Sequence, residues 1–237
     1  MEQPKLCKSA LKAANHCIKA GDLLGLQAAL GPRGPTPGLR LAGKAHMVSR
    51  ACELGHRVMA AWLADRLALP PAQLRRSHPR LLWRVCRNGH LAAAQWLAAA
   101  LGLTATGDAA AGYTALRKAC KGGHLELAQW LAAEFRLTAA DRHVGASALY
   151  DACARGHLRT ARWLADHFGL AAAAEADAIG TCRIAMHRAF VGGHAETAQW
   201  LAGHFGLAAA DIDREALYYA REGDHLVLAL GPDDAVG

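Results

Sequence analysis

The stretch Gly112–Ala132, GYTALRKACKGGHLELAQWLA, contains a pattern that recurs along the chain. Its Gly-His dipeptide is repeated at intervals of 34, 34, 33 and 37 residues, with histidine at His56, His90, His124, His157 and His194. A Trp-Leu-Ala tripeptide starts six residues after each of these histidines. Self-similarity at a fixed period is the signature of a repeat architecture, so the chain is predicted to be an array of similar structural repeats.

Each repeat is predicted to contain two short helices. In the best-marked repeat, Thr114 is a plausible N-cap for a first helix over residues 115–121. Gly122 and Gly123 should end that helix, because glycine tolerates the left-handed conformation of a C-terminal cap. A second helix is predicted over residues 125–135, where apolar residues follow helical spacing.

The connection to the next repeat, residues 138–147, is predicted to be a loop because it contains Asp141 and Gly145. Phe135-Arg136-Leu137 stands just before it, and this sequence predicts that the second helix is extended. The connection is then either a β-finger or a helical turn.

The core is predicted from the positions that recur in every repeat. A single helix pair cannot bury its apolar face, so neighbouring repeats stack to make a continuous core. Alanine recurs four residues after each histidine and allows close helix approach, and the Trp and Leu of Trp-Leu-Ala are predicted to fill the remaining core. Each repeated histidine is predicted to hydrogen-bond backbone at the junction between the helices.

The chain is predicted to be one repeat domain over residues 1–237, all-α, with about seven helix pairs. In the degenerate N-terminal repeat, residues 5–30, Gly21-Asp22 takes the place of Gly-His, and residues 31–43 are a Pro/Gly loop. The remaining predicted boundaries are repeats at 44–77, 78–111, 112–144, 145–181 and 182–212, followed by a C-terminal cap and tail at 213–237.

The stretches Gly112–Ala132 and Gly145–Ala165 resemble the ankyrin repeat, although the proline and histidine of its Thr-Pro-Leu-His run are absent here. The Trp-Leu-Ala and Phe-Gly-Leu sequences are similar to a divergent ankyrin subtype that is abundant in giant DNA viruses. Tetratricopeptide repeats share the period, but they pack longer helices with shorter joints. The resemblance implies an ankyrin-type helical-repeat solenoid that binds a partner protein through a concave face made by its first helices and loops.

Catalytic and metal sites are not indicated. The sequence has no Gly-x-Ser-x-Gly elbow and no phosphate-binding glycine loop, so neither an enzyme nor a cofactor is predicted. Asp211, Asp213 and Glu215 are clustered where a helix is predicted to start, and there they favour the helix dipole. Cysteine stands four residues before four of the histidines, but a glycine separates the two, and each repeat offers two ligands where structural zinc takes four.

Localisation is predicted to be intracellular and cytoplasmic, in the host cell if the chain is viral. No apolar run approaches the roughly 20 residues that a membrane helix requires, and the N-terminus has no signal-peptide core. Seven cysteines without CxxC pairs are typical of reduced thiols. A monomer without membrane contact is expected.

The charge of +7 is unevenly distributed. Residues 1–118 hold 17 Lys and Arg against 5 Asp and Glu, a net charge of +12, whereas residues 119–237 hold 10 against 15, a net charge of −5. The asymmetry predicts a partner with an acidic surface for the first half. The alternative is nucleic-acid binding through this basic half, which is disfavoured because no nucleic-acid-binding motif is present.

Partner contacts are predicted from the register of the repeats. One row lies six residues before each histidine, at Arg50, Arg84, Lys118, Asp151 and Arg188, and a second row lies three residues before it, at Glu53, Arg87, Lys121, Ala154 and Val191. Loop positions add Arg76, Tyr113, His143 and Arg183. Arg117 joins Arg84, Arg87, Lys118 and Lys121 in a predicted basic stripe, since arginine and tyrosine are favoured at interface hot spots.

Overall fold

The computed structural model describes residues 8–31, 41–170 and 176–207. The chain divides into two compact units, an N-terminal unit of residues 1–107 and a C-terminal unit of residues 108–237. Within the described residues the regular structure is entirely helical and the helices pack in adjacent pairs, which confirms the predicted all-α helical-repeat fold.

The described residues of the N-terminal unit form seven helices: α1 (Lys8–Ala20), α2 (Leu23–Leu30), α3 (Leu41–Glu53), α4 (Arg57–Arg66), α5 (Pro71–Ser77), α6 (Leu81–Arg87) and α7 (Leu91–Leu101). The pair α1–α2 occupies the predicted degenerate repeat, and the Asp22 carboxylate caps α2 by accepting a 2.8 Å hydrogen bond from the Gly25 amide. In the third pair the first helix is split, because α5 begins at Pro71 and ends before Pro79.

The C-terminal unit contains α8 (Ala109–Lys121), α9 (Leu125–Glu134), α10 (Arg142–Cys153), α11 (Leu158–His167), α12 (Ala176–Val191) and α13 (Ala195–Phe205). A short 3-10 turn, Ala139–Asp141, precedes α10. The described residues thus hold six helix pairs. The seventh predicted pair, and the acidic cluster at Asp211, Asp213 and Glu215, lie outside them.

The first helices start earlier than predicted. Helix α8 begins at Ala109, so Thr114 is inside the helix and its hydroxyl donates a 3.0 Å hydrogen bond to the Ala110 carbonyl; the N-cap prediction is wrong. Gly145 is likewise helical and buried, and a Cβ there would lie 2.5 Å from the Phe168 ring. This glycine serves close packing of an aromatic ring, not a loop.

The connection between repeats is a helical turn, the second of the two alternatives. Thr138 and Asp141 form a capping box around the 3-10 turn. The predicted extension of the second helix is wrong, because α9 ends at Glu134 and Arg136 adopts a φ of 53°. Glycine with a similar φ occupies the equivalent position in three other repeats, at Gly102, Gly169 and Gly206.

The predicted core is confirmed except at tryptophan. Two positions are inaccessible in all five repeats, the alanine four residues after the histidine and the leucine of Trp-Leu-Ala, and the cysteine four residues before the histidine is inaccessible in the four repeats that have it. The five repeated tryptophans are only half-buried, so the prediction that they fill the core is wrong. Two of them stack on the histidine one turn later, at centroid distances of 4.9 Å for Trp163–His167 and 5.0 Å for Trp200–His204.

Within each of the two units, the Gly-His junction links a repeat to the one before it. Gly123 ends α8 with a φ of 75°, and the His124 amide donates to the Ala119 carbonyl at 3.1 Å. The His157 ring of the next repeat lies against Gly123, where a Cβ would come within 2.5 Å of Nδ1. The same contact joins Gly156 to His194 in this unit, and Gly55 to His90 in the N-terminal unit.

The junction histidine His157 also hydrogen-bonds to the backbone of the preceding repeat, as predicted. Nε2 of His157 lies 3.3 Å from the Lys121 carbonyl oxygen, so its Nε2–H tautomer donates across the repeat boundary. Steric contact with the glycine and this hydrogen bond fix the register between neighbouring repeats.

Candidate partner-binding face

The first helices present one edge to solvent. We call the positions six and three residues before each junction histidine the first-helix face. In the N-terminal unit it lies on α3 and α6, which pack together. In the C-terminal unit it lies on α8, α10 and α12, with α10 packed between the other two. The two units are described separately below.

In the N-terminal unit the face is organised around Glu53. Its carboxylate lies 3.1 Å from Nη2 of Arg84 and 3.7 Å from Nη1 of Arg50, and it accepts a 3.0 Å hydrogen bond from the Ser49 hydroxyl. The Glu53 side chain is only 15% exposed, whereas those of Arg84 and Arg50 are 49% and 41% exposed. One carboxylate is thus shared by two guanidinium groups, which leaves this cluster positive.

Two histidines flank the Glu53 cluster. The rings of His46 and His78 are 6.1 Å apart, and burial followed by repulsion from Arg84 lowers the pKa of His78. Arg87 and Arg76 are exposed, on α6 and α5 respectively.

In the C-terminal unit Asp151 is not a free surface carboxylate. Nη2 and Nε of Arg117 both donate to its Oδ2, at 2.8 and 2.9 Å, across the boundary between two repeats. Asp151 is buried, so this ion pair bridges α8 and α10 and neutralises the middle of the face.

The structure brings together two of the predicted contact residues, Tyr113 and His143. The Tyr113 hydroxyl donates a 2.9 Å hydrogen bond to Oδ1 of Asp141, and this bond to a carboxylate raises the pKa of the tyrosine. The rings of Tyr113 and His143 meet edge to face at 6.0 Å. They form a polar aromatic cluster beside the 3-10 turn.

The cations at the two sides of the C-terminal unit are accessible. Lys118 and Lys121 are half-exposed on α8, and within the described residues neither has a salt-bridge partner. Arg183 and Arg188 are exposed on α12.

The four residues predicted in loops are all helical: Arg76 on α5, Tyr113 on α8, His143 on α10 and Arg183 on α12. That part of the prediction is wrong because the first helices are longer than expected.

One exposed residue was missed by the sequence reasoning. Ile184 on α12 is 55% exposed, and Val191, two turns later, is 44% exposed. The signal was available: ten residues before the junction histidine, Ile184 stands where other repeats carry the polar residues His46, Arg80, Thr114 and Ser147.

The predicted basic stripe spans both units. Arg84 and Arg87 belong to the N-terminal unit, and Arg117, Lys118 and Lys121 to the C-terminal unit. The stripe as one continuous surface therefore stays a prediction.

The repeated cysteines are core residues, as predicted. Burial raises the pKa of Cys52 and Cys86 to about 12 and also raises that of Cys120 and Cys153, so these thiols are protonated and unreactive near neutral pH. In the described part of the chain, no three potential ligands converge on a metal site and no helix is long and apolar enough to cross a membrane.

Comparison with known families agrees with the architecture. Residues 81–178 match the family model for ankyrin repeats, in three copies. The comparison with curated proteins gave no match. Ankyrin repeats are generally protein–protein interaction modules carried on non-enzymatic scaffolds. The family match identifies residues 81–178 as ankyrin repeats, and the helix pairs and Gly-His junctions described above agree with it.

Proposed function

We propose that this protein is a non-enzymatic interaction module that binds a partner protein through its first-helix face and the adjoining helix ends. The observation that carries the proposal is a contrast in composition. Core positions repeat without change, with alanine at Ala94, Ala128 and Ala161, whereas the accessible position three residues before the histidine changes from Lys121 to Ala154 to Val191 in successive repeats. Side chains that do not hold the fold are available to recognise a partner.

The electrostatics support a partner with an acidic surface. In the N-terminal unit two arginines share the carboxylate of Glu53, and in the C-terminal unit Lys118 and Lys121 lack a salt-bridge partner among the described residues. Such complementarity steers association and fixes the register of the complex. The proposed contact residues remain Arg50, Arg76, Arg84, Arg87, Tyr113, Arg117, Lys118, Lys121, His143, Asp151, Arg183 and Arg188.

Several of these residues also make contacts within the fold. Arg117 and Asp151 neutralise each other, so we propose that they contact the partner as an oriented pair and not as two separate charges. Arg84 is half-exposed and can bind a partner carboxylate while it retains Glu53. Arginine supports such sharing because its planar group carries five N–H donors.

The test is a pull-down from native cell extract with the full chain as bait. The variant has Arg84, Arg87, Lys118 and Lys121 replaced by Glu, and the control has Arg155, Arg159 and Arg162 replaced by Glu, which are exposed outside the first helices. Circular dichroism confirms that all three proteins are folded. We expect a protein that the wild type and the control capture and that the face variant loses.

The opposite outcomes are equally defined. If the captured proteins survive the face substitutions, the contact lies elsewhere and the proposal for this face fails. If only nucleic acid is recovered, and its affinity falls steeply with salt concentration, the nucleic-acid alternative replaces the protein partner. We further propose that the module acts as a cytoplasmic monomer, which light scattering on the purified chain and fluorescence imaging of the tagged chain in cells test.

A further inference from the structure

Helix α12 exposes an apolar pair within the part of the chain that the structure describes. Ile184 and Val191 are the large apolar side chains that are exposed among the described residues of the C-terminal unit. They are seven residues apart, so they lie on the same side of the helix, and the exposed Arg188 lies between them. The result is a small apolar patch with a cation at its centre.

The two neighbouring first helices carry different chemistry at the same positions. Helix α8 has Lys118 and Lys121, and α10 has Ala154 and the neutralised Asp151. Since α10 packs between α8 and α12, the face changes across three helices. It is cationic on α8, neutral on α10, and apolar with one arginine on α12.

We infer that this face of the C-terminal unit binds an extended acidic peptide segment with a large apolar side chain at one end. The carboxylates of the segment pair with Lys118 and Lys121, and its apolar side chain packs on Ile184 and Val191 beside a carboxylate held by Arg188. The inference rests on the proposed function and specifies the chemistry of the partner. The cations favour an acidic partner, and the apolar patch favours a segment that also carries an apolar side chain over a purely acidic surface.

The spacing sets the length of the segment. Packed helices lie about 8–10 Å apart, so the lysines of α8 are about 16–20 Å from the patch on α12. An extended chain covers about 3.3 Å per residue, so about five or six residues separate the acidic end from the apolar one. A helical peptide would cover only about 1.5 Å per residue and would need about twice as many.

The test uses fluorescein-labelled synthetic peptides and the full chain. The first peptide carries two glutamates, a spacer of about five alanine and serine residues, and then leucine and aspartate; a second has the reverse order, since the direction of the segment is open. Matched peptides replace the leucine by serine. We expect the leucine peptide of one order to bind about tenfold more tightly than its serine counterpart in fluorescence anisotropy.

Variants of the protein assign the effect to residues. Ile184→Asp combined with Val191→Asp should abolish the preference for leucine, whereas Lys118→Glu combined with Lys121→Glu should weaken both peptides. Val58→Asp is the matched control, because Val58 is also an exposed aliphatic residue, 60% accessible, but lies on the second helix α4. It should leave both affinities unchanged.

Two results would overturn the inference. Equal affinity for the leucine and serine peptides in both orders, with binding still lost in the lysine variant, would leave the proposed function intact but remove the apolar subsite. A fall in the stability of the unliganded Ile184→Asp/Val191→Asp variant well beyond the roughly 1–2 kcal/mol that two aspartates cost inside and at the C-terminus of a helix would show that the chain itself covers the patch. Failure of the proposed function is distinct, since the pull-down would then be insensitive to every first-helix substitution.

Discussion

The Gly-His junction and the first-helix face lie on the same helices but differ in how strongly they are constrained. At the junction Gly55 meets His90, Gly123 meets His157 and Gly156 meets His194, each time through the same contact. On the face, the equivalent residues are Arg50, Arg84, Lys118, Asp151 and Arg188. A position that makes the same contact in successive repeats is held to one residue type by that contact, whereas a position without such a repeated contact varies in residue type.

The largest expected loss of stability is at the leucine of Trp-Leu-Ala, and it should exceed the loss at the tryptophan beside it. Leu131 is inaccessible and Trp130 is half-buried, so Leu131→Ala should destabilise by about 2–5 kcal/mol and Trp130→Ala by less than about 2 kcal/mol, despite the larger side chain removed. Urea titration followed by circular dichroism measures both. An equal or larger loss for Trp130→Ala would contradict the half-buried position of its side chain.

The junction itself is broken by Gly123→Ala. Alanine would have to adopt the positive φ of Gly123, which a residue with a Cβ resists, and its Cβ would clash with the His157 ring. We therefore expect the free energy of unfolding to fall by about 2–4 kcal/mol. Gly203→Ala is the matched control, because Gly203 is helical and has open space around it. There alanine should stabilise by about 0.5–1 kcal/mol, since glycine is a poor residue inside a helix.

The end of the second helix offers a comparison between repeats. Arg136 adopts a φ of 53° where Gly169 adopts 59° in the next repeat. Arg136→Gly should therefore stabilise by up to about 1 kcal/mol, and Gly169→Ala should destabilise by a similar amount, because side chains with a Cβ resist this conformation. Thermal unfolding of the two variants checks both signs. A loss of stability in Arg136→Gly would mean that its side chain makes a stabilising contact.

A smaller effect should come from protonation of the junction. Burial lowers the pKa of His157 below its ordinary value of 6.5. The hydrogen bond to the Lys121 backbone raises this pKa, whereas repulsion from the neighbouring cationic groups lowers it further; these groups are His124, His194 and Arg155. The unfolded chain then takes up the proton first as the pH falls, so stability should decrease as the pH is lowered from 6.5 and level off below the folded pKa. Unfolding free energies across this range, for wild type and His157→Gln, isolate this contribution; an unchanged slope in the variant would contradict it.

The smallest effect on stability is expected for a substitution on the first-helix face. Lys118→Ala should change the free energy of unfolding by less than about 0.5 kcal/mol, because the side chain is half-exposed and has no salt-bridge partner among the described residues. The same substitution should weaken partner binding. Chemical denaturation and a binding titration on the same preparation measure the two properties together, and a stability loss comparable to that of Gly123→Ala would remove the contrast between junction and face.

The periodic part of the fold was predictable from the sequence. Helix pairs, glycine stops and buried Ala, Leu and Cys positions follow from residues that recur in every repeat. The start of the first helix in each repeat could not be predicted, because glycines such as Gly112 and Gly145 usually interrupt helices. In the structure both are helical, and the Phe135 and Phe168 rings pack where a Cβ would be. A local rule failed where a tertiary contact decided the residue.

The candidate face was predictable as a set of positions but not as a charge pattern. Register alone identified Arg84, Lys118 and Arg188. It could not indicate that Arg84 lies against Glu53 or that Arg117 neutralises Asp151, because both pairs join residues of different repeats. It also gave no weight to Ile184, since an isolated isoleucine in a helical segment is usually a core residue.

The glycine–histidine contact makes the array directional and extensible. Two repeats show both halves of the contact: Gly55 and Gly156 each receive a histidine ring from the following repeat, and the rings of His56 and His157 lie on the glycine of the preceding one. Gly21 receives His56, but the next residue is Asp22, so the first repeat carries the receiving half alone. An in-frame duplication of one internal repeat would therefore supply its own connectors at both ends, and a gene could lengthen this protein without redesigning its neighbours.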